Sequence, residues 1–257
     1  MPRKILKNKP LVEAIFETRW DLTVHTTGIK VDPHYKIFIG RLYDRIAQDY
    51  PFHEQLPTAA MPDEMAGYVV QHRFRKDKGK WPLVQVGPGI VTLNDTDGYV
   101  WEDFQRRISR LLDAVFQAYP NSQQNIMVNA LLLRYIDAVA FDFDHGDIFS
   151  FLKNDLKITV DLHESLFRDT GVSKAPTAFD LRFSFASAKP MGTVHLKFAR
   201  GKKGEDHGLI WETVVQASGR VAATEKNEII NWVNEAHTLT DDWFFKMIEG
   251  ELLRRFE

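Results

Sequence analysis

Three groups of residues have the types and spacing for chemistry. Asp142, Asp144 and His145, with Asp147 close behind, combine the carboxylates and imidazole that a divalent cation uses. The same spacing describes a strand leaving its sheet through an Asp-rich turn, with Phe141 and Phe143 alternating inward. No Glu stands at the offset a calcium loop needs, and the turn is the favoured reading. A second, basic group falls at two expected hairpin tips: Arg73, Arg75, Lys76, Lys78 and Lys80 with Trp81, and Arg200, Lys202 and Lys203. If the tips met on one surface they could neutralise phosphates and offer Trp81 to a nucleic-acid base, although Asp77, Glu205 and Asp206 dilute the charge.

The third group sits inside the most apolar strand. Alternation sends Arg134 and Ile136 to one face and Tyr135 and Asp137 to the other. If the strand Leu11–Trp20 lies alongside, Arg19 with Glu13 or Glu17 can pair with these charges. Arg19, Arg134, Tyr135 and Asp137 then form either a structural polar network or the floor of a pocket.

Other chemistry is disfavoured. The histidines are scattered, without an H-x-x-x-H or H-x-H pair, and no G-x-S-x-G elbow occurs. Gly87-Pro88-Gly89 lies between strand-like runs, so it reads as a turn and not as a phosphate cradle, which needs a helix directly after it. His237 is placed where a helix is expected to end and reads first as a C-terminal cap. With no cysteine, thiol chemistry and Cys-type zinc sites are excluded. The 33 basic and 35 acidic residues leave a formal charge of -2, so nothing global draws the chain to nucleic acid or an anionic membrane. The pattern requires no cofactor and names no catalytic residue. Residues 1–10 lack the apolar run of a signal peptide, and no stretch approaches the roughly 20 apolar residues of a membrane span. A cytoplasmic location without membrane contact is expected.

The elements that must position these groups follow from periodicity. Leu11–Trp20 alternates as a strand. From Asp32-Pro33, with Asp32 as cap, Tyr35, Phe38, Ile39, Leu42, Tyr43 and Ile46 recur at helical spacing. Tyr68–Arg75 and Leu83–Leu93 read as strands, Tyr99–Tyr119 as an amphipathic helix and Ile126–Phe143 as a long strand. This order resembles a ferredoxin-like split βαβ with an extra strand. In the second half, a short helix at Ile148–Leu156 precedes a three-stranded meander, in which Phe179, Leu181, Phe183 and Phe185 face the core. Helices follow at Glu225–His237 and, after a Thr240 cap, Asp241–Phe256. The expected class is α+β with antiparallel or mixed sheets. Residues 1–257 form one compact unit, with 1–144 and 145–257 as packed lobes if it divides at His145-Gly146.

Five stretches read like words: Lys9-Pro10-Leu11 through Trp20, Pro82 through Ile90, Tyr99-x-Trp101-x-x-Phe104, Leu133-Arg134-Tyr135-Ile136-Asp137, and the late His237. As a set they resemble a sporadically distributed prokaryotic family of unknown function whose members are of about this length. The resemblance spans nearly the whole chain and brings no assigned catalytic residue. It implies an accessory gene, part of a defence or toxin–antitoxin-like module. The expectation is a non-enzymatic binding or regulatory component that recognises a partner protein, encoded by a neighbouring gene. The alternative is a nucleic-acid-binding or processing protein using the basic tips.

Overall fold

The alternation Ala14, Phe16, Thr18, Trp20 becomes the buried side of β1 (Leu11–Trp20). The structure is a computed structural model that describes residues 6–24, 28–96, 98–121, 126–203 and 206–257, with only the backbone of Lys203 and Asp206. β2 (Thr23–Val24) and β3 (Lys30–Val31) form a small ribbon. The remaining strands are β4 (Phe52–Gln55), β5 (His72–Arg75), β6 (Leu83–Gly87), β7 (Ile90–Asp95), β8 (Val128–Ala140), β9 (Asp180–Ala188), β10 (Met191–Lys203) and β11 (Asp206–Ser218). With β1 they make, among the described residues, a nine-stranded sheet in the order β4-β5-β6-β7-β1-β8-β11-β10-β9. Its pairings are antiparallel.

The chain is therefore α+β with antiparallel sheets. The ferredoxin-like split expected for the first half is not confirmed: β1 lies antiparallel between β7 and β8, and the sheet runs on past β7 through β6, β5 and β4. The sheet also runs across the His145-Gly146 turn, because β8 from the first half pairs along its length with β11 from the second. The turn between β6 and β7 is tight. Gly89 has φ +75°, and a Cβ on Gly87 would strike the Val69 carbonyl, so both positions need glycine.

Helices cover one face. α1 (Tyr35–Ile46) and α2 (Trp101–Ala118) bury most of the stripes expected of them, Tyr35, Phe38, Leu42 and Ile46 on the first and Trp101, Phe104, Ile108, Leu111, Leu112 and Val115 on the second, while Ile39 and Phe116 are only partly covered and Tyr43 is exposed. Full burial of such side chains stabilises by about 1.5–3 kcal/mol each before entropy is counted. Asp32 does not cap α1 directly; His34 holds that position, and Asp32 accepts its backbone N–H at 3.1 Å. α3 (Ile148–Asp155) starts at Asp147, whose carboxylate accepts from the N–H groups of Phe149 and Ser150.

The largest departure from expectation is α4 (Lys226–Ile248), one continuous helix through the break foreseen at His237–Thr240, followed by α5 (Glu251–Phe256). Neither glycine nor proline falls in the interval to stop the helix. The Thr240 hydroxyl donates back to the carbonyls of Ala236 and His237, both at 3.0 Å, instead of capping a new helix. His237 is thus a mid-helix residue, 9% exposed, and not a terminal cap.

The helix-facing core consists of two apolar clusters. One gathers Phe16, Leu93, Phe104, Leu133, Val215 and Val233, the other Val139, Phe198, Leu209, Trp211, Ile248 and Phe256. No helix among the described residues is long and apolar enough to cross a membrane.

Candidate functional site

Three elements carry an apolar row toward the other layer, and each row turns polar at the same level. Along β8 the inward residues run Leu131, Leu133, Tyr135, Asp137, Val139; along β11 they run Ala217, Val215, Thr213, Trp211, Leu209. Register sets Thr213 opposite Tyr135 and Trp211 opposite Asp137. On α4 the sequence Ile229, Val233, Ala236 gives way to His237, Thr240 and Asp241 before Met247 and Ile248 resume the apolar face. The polar band lies between the two clusters and lines a cavity of about 350 Å³. Lys9, Pro10 and Leu11, the start of α2 from Tyr99 to Glu102, and Phe244 and Phe245 complete the wall. Such a volume is at the small end of the roughly 300–1,000 Å³ of small-molecule sites.

The polar groups in it are connected. The Tyr99 and Tyr135 hydroxyls lie 2.9 Å apart, and the Tyr135 hydroxyl lies 2.9 Å from His237 Nδ1. The Trp101 indole stacks on the His237 imidazole with ring centres 3.7 Å apart and planes 14° from parallel. Lys9 Nζ donates to the Tyr99 carbonyl at 2.6 Å, which ties the chain before β1 to the start of α2. Tyr135 has one proton and two oxygen lone pairs, so it serves as donor to one neighbour and acceptor for the other. With Nδ1 unprotonated the hydrogen bonds run from Tyr99 through Tyr135 to His237; with Nδ1 protonated they reverse. The chain of three side chains can therefore relay a proton or adapt to either a donor or an acceptor on a ligand.

The four residues expected to form one network are divided by the sheet. Tyr135 and Asp137 line the cavity, and Asp137 is only 3% exposed. Arg134 and Arg19 lie on the opposite face, as period-two geometry requires of Arg134 once Tyr135 points inward. Arg134 Nη2 meets Glu212 Oε2 at 2.6 Å, and Lys197 stands 3.7 Å from the same carboxylate. Arg19 pairs within its own strand with Glu17 at 2.7 Å. β1 and β8 are neighbours, but the partner of Arg134 comes from β11, on its other side.

The basic tips remain separate turns. Both lie at the same end of the sheet, yet β7, β1 and β8 stand between their hairpins. β6 and β11 are thus four strand spacings apart, roughly 19 Å. Arg75 is 8% exposed, bonded to Glu54 at 2.8 Å and placed over the Trp81 ring at 5.4 Å, while Arg73 binds Gln85. Lys76, Lys78, Lys80 and Lys202 are exposed; Glu205 and the side chain of Lys203 lie outside the described residues. At the acidic turn, Asp142 accepts from the N–H groups of Asp144 and His145 and meets His145 Nδ1 at 2.9 Å. His145 holds the Asp142 carboxyl below its usual range, and Asp142 holds the His145 imidazole above its own. This is an exposed Asx turn, and among the described residues no group of three or more His, Asp or Glu is arranged to hold a metal ion.

Sequence reasoning missed Thr213, Thr240 and Asp241 and left Tyr99, Trp101 and His237 without a shared site. The available signal was the synchronous break in three apolar rows. Four of the five word-like stretches supply lining residues, Pro82–Ile90 being the exception.

The fold and site together define an α+β protein with an antiparallel sheet, a long C-terminal-half helix laid across it, and an aromatic cavity between them. No family model matches the chain, and no curated protein matches it. Among solved structures, the di-domain ARO/CYC BexL from the BE-7585A biosynthetic pathway overlaps 93% of this chain and 99% of its own. The identity is 11% and the TM-score 0.18, a likeness that carries no argument.

Proposed function

We propose that this chain is a small-molecule-binding protein, a binding or regulatory component whose ligand occupies the cavity between β8, β11, α2 and α4. The observation that carries the reading is the polar band of Tyr135, Asp137, Thr213, His237 and Thr240 facing about 350 Å³ of open volume within an otherwise apolar interface. A band of polar groups at one level beside a cavity in an otherwise apolar interface suits recognition of a ligand with an apolar body and a few polar atoms. The test is a thermal-shift screen of small aromatic compounds on the intact chain and on Thr213→Phe, which projects a ring into the cavity. Compounds that stabilise the wild type should lose their effect in a folded Thr213→Phe protein; binding that survives the substitution places the ligand elsewhere.

Recognition of a partner protein is a second proposal, favoured by one feature. β9 ends the sheet, no strand pairs with its outer edge among the described residues, and Phe183 and Phe185 on it are 38% and 46% exposed. Both face the helix layer, in register with Leu196 and Val194, but the edge leaves them only partly covered. An extended segment of a partner adding a strand there would satisfy the edge and cover the rings. Co-expression with the product of the neighbouring gene should give a stoichiometric complex that Phe183→Lys with Phe185→Lys abolishes; absence of any complex removes this reading.

A further inference from the structure

We propose that His53 and His72 are two adjoining imidazole ligands of a divalent transition-metal ion that favours square, tetragonal coordination, bound at the β4 edge of the sheet. Neither residue lines the cavity, so the site stands independently of how that cavity is used. The two histidines are 19 residues apart in the sequence, and the sheet brings them together. Pairing of β4 with β5 sets His53 opposite Phe74 and Gln55 opposite His72, so the four side chains fall on one face. His53 Nε2 and His72 Nδ1 then stand 2.9 Å apart.

That separation selects the ion. Imidazole nitrogens bind such metals at about 2.0–2.1 Å, so two held at right angles are about 2.8–3.0 Å apart and two at the tetrahedral angle about 3.3–3.4 Å apart. The observed spacing is that of neighbouring corners of a square, the arrangement of Cu(II) and Ni(II) and not of tetrahedral zinc. Among the described residues no third His, Asp or Glu joins the pair, and water takes the remaining corners from the exposed side of His53. In the hydrogen-bonded pair one of the two facing nitrogens carries a proton. Coordination uses both lone pairs, and that proton passes to the far nitrogen of its own ring, a change of tautomer with no net release.

The surroundings hold the rings in place. The His53 ring lies 5.1 Å from both His72 and Phe74, its plane 22° from each. Tyr43 of α1 stacks on Phe74 at 5.3 Å and stands 6.2 Å from His53, and Tyr35 on the same helix lies 6.4 Å from His72. Rings packed in this way lose little further freedom when a metal binds. Burial, and after it the neighbouring His53, hold His72 below the usual histidine pKa, in the neutral form that ligates. The consequence is mechanical: β4 is a mostly exposed strand of four residues at the end of the sheet, and the metal clips it to β5.

The test is titration of the intact, tag-free chain with Cu2+ and, separately, Zn2+, followed by electron paramagnetic resonance of the copper form and by thermal melting. The wild type should bind a single Cu2+ whose spectrum shows two imidazole nitrogens, about tenfold or more tighter than Zn2+, and should melt at a higher temperature with the metal. His53→Asn and His72→Asn should each weaken Cu2+ binding about tenfold or more and remove the rise in melting temperature. His145→Asn, which removes the exposed histidine of the acidic turn, should change neither. His53 is exposed, so its variant keeps the test valid if His72→Asn fails to fold. Equal Cu2+ affinity of the wild type and His53→Asn, or a spectrum with one imidazole, overturns the site and leaves a hydrogen-bonded pair that only packs the edge. Zn2+ binding as tight as Cu2+ through the same two histidines overturns the tetragonal assignment.

Discussion

Asp32 and Tyr135 each gather polar groups beneath the helical layer, but protein donors close the first cluster while the second opens onto a cavity. Asp32 Oδ1 accepts from the His34 N–H at 3.1 Å and the Tyr119 hydroxyl at 2.7 Å, and its Oδ2 accepts from Trp20 Nε1 and the Gly89 N–H, both at 3.1 Å. One carboxylate thereby joins β1, the approach to α1, the β6–β7 turn and the end of α2. Burial and the neighbouring Asp32 both push the Tyr119 hydroxyl to a higher pKa, so it stays a donor. Around Tyr135, in contrast, the hydrogen-bonded chain runs along the wall of open volume. The difference separates a carboxylate that fastens four elements from a hydrogen-bonded chain that lines a cavity, and the proposed function makes only the second a place for a ligand.

The largest expected effect is on the fastener. Asp32→Ala removes the acceptor of four donors and should destabilise the chain by about 3 kcal/mol in urea denaturation. A loss under about 1 kcal/mol would erase the distinction between the two clusters. Tyr135→Phe should cost only about 1 kcal/mol of stability, while weakening ligand binding about tenfold, a split that a fastener would not produce.

Asp95 sharpens the comparison as a buried carboxylate with little compensation. It is 5% exposed and accepts the Thr96 N–H at 2.8 Å, and burial raises its pKa above the ordinary carboxylate value. The folded state then holds its proton to higher pH than the unfolded state. Stability from this group is present below the ordinary carboxylate range and is lost as pH rises through the raised value. Asp95→Asn should flatten that decline and stabilise the chain at neutral pH by up to about 1 kcal/mol; an unchanged pH profile in thermal melts would contradict it. The smallest effect belongs to the outer face. Arg134→Met breaks the ion pair with Glu212, in which the arginine side chain is 35% exposed, and should cost at most about 1 kcal/mol without altering ligand affinity.

Much of this arrangement is legible in the sequence, and what is not has physical reasons. The alternation of β1 and β8 and the stripes of α1 and α2 locate the strands, the helices and the face to which Tyr135 and Asp137 turn. Periodicity says nothing about which strands neighbour each other. Glu212 therefore could not be named as the partner of Arg134, and the ferredoxin-like order was drawn from sequence adjacency alone. β4 escapes notice because its four residues are mostly exposed at the sheet edge and show no alternation. The helix break at His237–Thr240 was inferred from polarity, when the polar residues are there to line the cavity. The half-exposed Phe183 and Phe185 show the same limit: the pattern gives their face correctly, but their cover depends on what lies beyond the edge strand.

The most direct test is solution NMR of the chain labelled at threonine methyl groups and titrated with an aromatic compound that stabilises it in the thermal-shift screen. Thr213 and Thr240 line the cavity, whereas Thr18 and Thr92 are buried in other parts of the sheet. The account predicts saturable shifts at Thr213 and Thr240 with Thr18 and Thr92 unmoved. Shifts confined to threonines outside the cavity, or spread evenly over all of them, would contradict it.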